Sequence, residues 1–139
     1  MTLNDLYELA EKSCIEIDAF NMEKREAFSV KGDDGKCFVA VDPRRIKSRA
    51  DERVKIAHEI GHCETESFYT FITPFESRQK QENRADIWAI KRLISEDELN
   101  AAVSDGYIEV WQLAEYFDVT ESFMKKAISL YKYGNLYSV

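Results

Sequence analysis

Apolar residues return at helical spacing at the start of the chain, where Leu3, Leu6, Tyr7, Leu9 and Ala10 follow a candidate Thr2 or Asn4 cap. That spacing predicts an amphipathic helix to about residue 14. Ile15 and Ile17 then suggest a short strand, and the period changes to two. Residues 26–42 hold two β-prone runs around a turn cluster of Asp33, Asp34 and Gly35, which predicts a hairpin. In the second run Cys37, Val39 and Val41 face one way and Phe38 and Ala40 the other, so both faces are apolar and the strand is expected to be well covered. Helical periodicity resumes over residues 50–64. The stretch from Cys63 to Arg78 reads as an aromatic loop, and further helices are expected from about residue 78, at 96–104, at 109–117 and at 121–132.

Size and charge narrow the class. The 139 residues, 45% of them hydrophobic, suffice for one compact core and not for two generous ones. The division expected is a core over residues 1–106 and a helical segment over 107–139 that packs on it. No run of apolar residues is long enough to span a bilayer and no basic, then apolar, leader opens the chain, so a soluble cytoplasmic protein without membrane contact is expected. A net charge of −7 disfavours a protein that grips phosphate backbones. The basic run Arg44, Arg45, Lys47 and Arg49 reads as a solvated linker. Cys14, Cys37 and Cys63 are odd in number and form no CxxC pair, so reduced thiols are expected.

The chemistry concentrates at one point. The only two histidines, His58 and His62, lie four residues apart with Glu59 between them. On a helix that spacing is about 6 Å of rise and just over one turn, so both imidazoles leave one face and can share a Zn²⁺ ion. Glu59 lies about 100° round the helix, beside a metal-activated water as its general base. Gly61 inside this helix costs about 1 kcal/mol relative to alanine, which implies a close backbone approach. Catalytic zinc usually takes three protein ligands, and no third histidine exists. Glu82 shares a helical face with Ala85, Asp86, Ala89 and Leu93, which makes it the leading candidate. Cys63, Glu64 and Glu66 remain rivals. Asp86, one turn on, could accept the Nδ1 hydrogen of a ligand histidine.

These residues carry a family resemblance. FVAVDPRRI, ADERVKIAHEIGHCETESFY and ENRADIWAIKRLI together resemble the ImmA/IrrE family of small zinc metallopeptidases, particularly members on prophages and integrative elements. Trp88 stands where the family pattern has Phe. The resemblance implies an α+β, zincin-like fold, mostly helical, with a small antiparallel sheet and a helical C-terminal segment. It implies His58, His62 and Glu82 as zinc ligands and Glu59 as general base. It further implies an antirepressor endopeptidase that cleaves a helix-turn-helix repressor. Tyr69 in the aromatic loop is a candidate oxyanion donor or substrate contact, and the edge of the strand at 37–41 a candidate support for the peptide. The segment 109–132 resembles a helix-turn-helix in spacing, but with Lys125 and Lys126 set against Glu121 it is expected to pack or to dock the substrate rather than to read DNA. Sequestration of the repressor without cleavage is the alternative function.

Overall fold

The computed structural model describes residues 1–139. Helix α1 (Leu3–Lys12) opens with a capping box in which Thr2 and Asp5 satisfy one another's backbone N–H groups. Strands β1 (Ile15–Ala19), β2 (Ala27–Lys31) and β3 (Cys37–Val41) follow, then a short 3-10 turn over Pro43–Arg45 and the long helices α2 (Arg49–Thr65) and α3 (Phe75–Leu93). Three helices close the chain: α4 (Glu96–Ser104), α5 (Val110–Phe117) and α6 (Glu121–Tyr133).

The sheet order is β1-β3-β2. The predicted hairpin is present, with Ser29 opposite Val39 in antiparallel register. The sheet is nevertheless mixed rather than antiparallel, because β1 runs parallel to β3 with Ile17 beside Val39. The 20–26 connection makes this possible by carrying the chain across the sheet before β2 begins. β3 is thus the central strand, and its apolar residues on both faces are explained: Val39, Ala40 and Val41 are all buried. Its edges are both occupied, so the expected peptide support at 37–41 is ruled out; the outer strands are β1 and β2.

In the basic run after β3, Lys47 and Arg49 are exposed as expected, but Arg44 and Arg45 form a clamp. Asp42 has no exposed surface and accepts hydrogen bonds from the Arg44 side chain and from the backbone N–H of Met22, 2.9 Å away. Arg44 and Arg45 also donate to the carbonyl of Met22. These contacts fasten the 20–26 connection to the sheet.

One core of 22 buried residues runs from Leu6 to Leu136 and includes Ile56, Ile60, Ile90, Leu113 and Met124. The last helices share it. The Arg53 guanidinium, buried on α2, donates to the carbonyls of Phe117 and Asp118 at the end of α5, where a cation suits the exposed carbonyl dipoles. The Tyr131 hydroxyl of α6 donates to the Ile94 carbonyl at 2.6 Å. No helix is long and apolar enough to cross a membrane.

The cysteines depart from expectation. Cys37 at the start of β3 and Cys63 near the end of α2 form a disulfide with a Cα–Cα distance of 5.9 Å, within the range such bonds require. Only Cys14 is free, and it is exposed. The pair lie 26 residues apart and meet only because β3 packs beside α2.

Candidate metal centre

Helices α2 and α3 pack closer than ordinary side chains allow, and Gly61 is the reason. A Cβ at this position would stand 2.7 Å from the carbonyl oxygen of Ala85 and 3.2 Å from its Cα. The backbone of α3 therefore rests on the bare backbone of α2. Ala85 and Ala89 are completely buried in this contact, and Glu82 and Asp86 reach the two histidines from it. Helix α3 begins at Phe75, after Pro74, so Glu82 is held two turns inside it and not at a frayed start.

His58, His62 and Glu82 converge. Their ligand atoms lie within 4.8 Å of one another, the only grouping of three such residues able to hold a metal ion. The His58 and His62 Nε2 atoms are 3.1 Å apart, and Glu82 places Oε2 at 2.9 Å from the first and Oε1 at 3.0 Å from the second. Cys63 is tied up with Cys37, Glu64 is exposed, and Glu66 turns outward to Lys31, so none of these rivals joins the cluster.

Ring orientation shows what the cluster suits. The Nδ1 of His62 faces the Ser67 carbonyl oxygen at 2.6 Å, and a carbonyl can only accept, so that nitrogen carries the hydrogen. The Nδ1 of His58 faces Asp86 Oδ1 at 2.7 Å, while Lys126 donates to the other oxygen of Asp86 at 2.9 Å. Both Nε2 atoms of the neutral rings then turn lone pairs towards one another and towards a carboxylate. Three electron-rich groups around one point need a cation. A small tetrahedral ion with bonds of about 2.0–2.1 Å would hold its ligands about 3.3–3.4 Å apart, so the observed spacing fits to within a few tenths of an ångström.

Without a cation a proton takes its place. Burial works against an imidazolium at His58, but hydrogen bonds to Asp86 and Glu82 outweigh it and push the ring up to about 10. Burial likewise opposes ionisation of Glu82, yet hydrogen bonds from both histidines hold its carboxyl well below the usual range. Asp86 is lowered in the same way, burial being outweighed by His58 and Lys126.

Glu59 stands apart from this network. It is only 6% exposed, and its Oε2 is the one buried side-chain oxygen or nitrogen without a hydrogen-bond partner. Burial raises its carboxyl, with the two histidines pulling the other way. It borders a recess of about 30 Å³ shared with His62, Ser67, Tyr69 and Glu82, which is room for a water. The recess opens to a cleft of about 350 Å³ between α2, the start of β2 and Tyr69. The Tyr69 hydroxyl donates to Glu82 Oε1 at 2.9 Å, so in this arrangement it steadies the carboxylate.

Two supports of the histidines, one direct and one through Asp86, are invisible in the sequence. Ser67 reaches His62 because Glu66 adopts a left-handed conformation that ends α2 and folds the chain back, with the Ser67 N–H bonding the His62 carbonyl at 3.0 Å. Lys126 comes from α6, 40 residues from Asp86. Its ammonium is part-buried and paired with Asp86.

Comparison with protein families decides the class. The Peptidase_M78 model, described as the IrrE N-terminal-like domain, matches residues 13–129. The chain belongs to the Peptidase_M78 family. This is a metallopeptidase family, and the match bears out the ImmA/IrrE resemblance read from the motifs. The Peptidase_M78 span begins after α1, takes in the three-residue cluster with Glu59 and Asp86, and ends inside α6 beyond Lys126. No curated protein matched the chain.

Proposed function

We propose that this Peptidase_M78 chain is a zinc-dependent, site-specific endopeptidase whose substrate is a helix-turn-helix repressor. The observation that carries the reading is the pairing of two features. Three lone-pair groups, on rings whose tautomers Asp86 and Ser67 fix, meet at one point, and beside them a buried carboxylate oxygen has no partner. A purely structural site has no use for the second.

In this reading His58, His62 and Glu82 hold the ion, and the donor set of two imidazoles and a carboxylate is one that catalytic zinc favours. A zinc ion there would lower the pKa of its water and polarise the scissile carbonyl. Glu59 Oε2 takes the proton of the attacking water in the recess and hands it to the leaving amine nitrogen. Burial serves that work, since a raised carboxyl is a better proton acceptor and a ready donor afterwards. Asp86, backed by Lys126, orients His58 and increases its basicity. Tyr69 steadies Glu82, and by turning from it the same hydroxyl would reach a developing oxyanion.

The peptide is expected on the free edge of β2, whose Ala27, Phe28 and Ser29 border the cleft and recess. Phe71, Ile72 and Phe75 follow Tyr69 in the chain and are about four-fifths exposed, apolar side chains suited to holding a protein substrate. The segment 107–139 contributes Lys126 to the site, so its role includes support of the histidine shell. The protein would act in the cytoplasm, and in that reducing compartment Cys37 and Cys63 would be thiols held side by side.

The test is incubation of the zinc-loaded protein with the helix-turn-helix repressor encoded beside its gene, read by intact mass, with Glu59→Gln in parallel. Discrete fragments from the parent alone are expected. An uncut repressor held in a stable complex by both proteins would replace cleavage with sequestration.

A further inference from the structure

Arg25 borders the recess, the cleft and a third cavity of about 370 Å³, floored by Met22 and Phe28 with Glu23 and Lys24 at its rim. It is exposed and has neither a hydrogen bond nor an ion pair. Lys55 is engaged by Glu26 and Asp51, Lys126 by Asp86, and Arg78 by the carbonyls of Phe71 and Thr73, while Lys24 borders only the third cavity and neither the recess nor the cleft. The cleft therefore has one uncommitted positive charge, at the junction between the metal cluster and an adjoining cavity.

The backbone that carries Arg25 is fixed on both sides. Before it, the Met22 N–H bonds Asp42 and the Met22 carbonyl accepts from Arg45 at 3.0 Å. After it, the Glu26 carbonyl accepts from the Asp42 N–H at 2.9 Å. The base of this side chain is therefore held in place, and its planar guanidinium fork matches a carboxylate. Three carboxylates line the cleft; Glu26 is paired with Lys55, and Glu59 and Glu82 would repel an acidic group placed among them. At the rim, with Phe28 and Met22 beneath for methylene groups, an acidic group finds the opposite charge.

We infer that Arg25, with the cavity floored by Phe28 and Met22, forms a specificity subsite for a peptide carboxylate within two residues of the scissile bond. This rests on the peptidase reading above and deepens it. The carboxylate can belong to an Asp or Glu side chain or to a peptide's own C-terminus, and the assay separates the two.

The zinc-loaded full chain is incubated with a mixture of peptides digested from a denatured proteome, half of it C-terminally amidated, and cut sites are mapped by mass spectrometry. The parent should favour Asp or Glu at one position near the cut, by about 2- to 5-fold over the matched Asn or Gln peptide, the range expected of an ion pair to an exposed arginine. Arg25→Ala should bring that ratio close to 1, Arg25→Lys should keep part of it, and Arg25→Glu should favour Lys or Arg instead. Cuts near peptide C-termini that vanish on amidation would assign the subsite to the α-carboxylate. Arg25 is exposed, so these variants should fold, which thermal unfolding checks. Cleavage with the same residue preference in parent and Arg25→Glu would overturn the subsite and leave the peptidase standing; no cleavage by any of them would overturn both.

Discussion

Gly61→Ala puts the contact between α2 and α3 to the test. Helix propensity alone says that alanine should stabilise this position by about 1 kcal/mol. The structure predicts the opposite sign. The added Cβ would lie 2.7 Å from the Ala85 carbonyl oxygen, against 3.4 Å or more in ordinary contact, and the obstacle is backbone that cannot rotate away. The helices must part by about 0.7 Å, the difference between those distances. Overpacking of this kind costs about 1–3 kcal/mol, which leaves a net destabilisation of about 1 kcal/mol after the propensity gain. In a chain of this size that lowers Tm by about 3–5 °C. Glu82 lies one turn before Ala85 on the same helix, so it retreats from the histidines with α3. Metal sites tolerate only about 0.2 Å in ligand distance, so zinc affinity should fall at least tenfold. Thermal unfolding of the metal-free protein and a chelator competition measure the two effects. A variant that melts several degrees higher and binds zinc as the parent does would refute the close approach.

Other consequences follow from the same geometry. Asp86→Asn should weaken zinc binding by about 10- to 100-fold, because the amide can no longer fix the His58 tautomer as the carboxylate does; unchanged affinity by chelator competition would remove Asp86 from the site. Breaking the Cys37–Cys63 bond, which closes a loop of 26 residues, should destabilise the oxidised protein by about 3–4 kcal/mol, and denaturant midpoints that coincide with and without reductant would contradict that. The pH response of the metal-free protein has a definite sign. His58 is raised to about 10 in the folded state from an ordinary value of 6.5, so its contribution to stability is complete below about pH 6.5 and is lost as pH rises through 10. A cation must displace that proton, so zinc affinity should rise about tenfold per pH unit over the same window; a flat profile between pH 7 and 9 would show that His58 is not a ligand.

What the sequence revealed and what it hid divide along physical lines. Helical phase is a local property, so the sequence alone puts His58, Glu59 and His62 on one helix and Glu82 with Asp86 on another. The glycine at 61 announced a close approach because its local cost demanded a distant reason. The partner that causes it, Ala85, could be named only from the structure. Pairings across the chain left no local trace: the parallel alignment of β1 with β3, the meeting of Cys37 with Cys63, and the reach of Lys126 to Asp86 all depend on how elements stack. Arg44 and Arg45 misled for a related reason. A basic run looks solvated until the buried Asp42 and the carbonyl of Met22 are seen beneath it. The sequence predicts α3 from about residue 78 and the helix begins at Phe75, because residues 76 to 81 are polar throughout and carry no apolar rhythm. Ser67 depended on a left-handed Glu66, a conformation that a glutamate does not advertise.

The central claim is that one zinc ion sits between α2 and α3, and anomalous diffraction at the zinc edge from crystals of the zinc-loaded protein tests it most directly. A single peak bonded to His58 Nε2, His62 Nε2 and Glu82, with Asp86 still on His58 Nδ1 and Glu59 beside a water but off the metal, is the predicted result. A peak elsewhere, or one in which Glu59 is itself a ligand, would contradict the account.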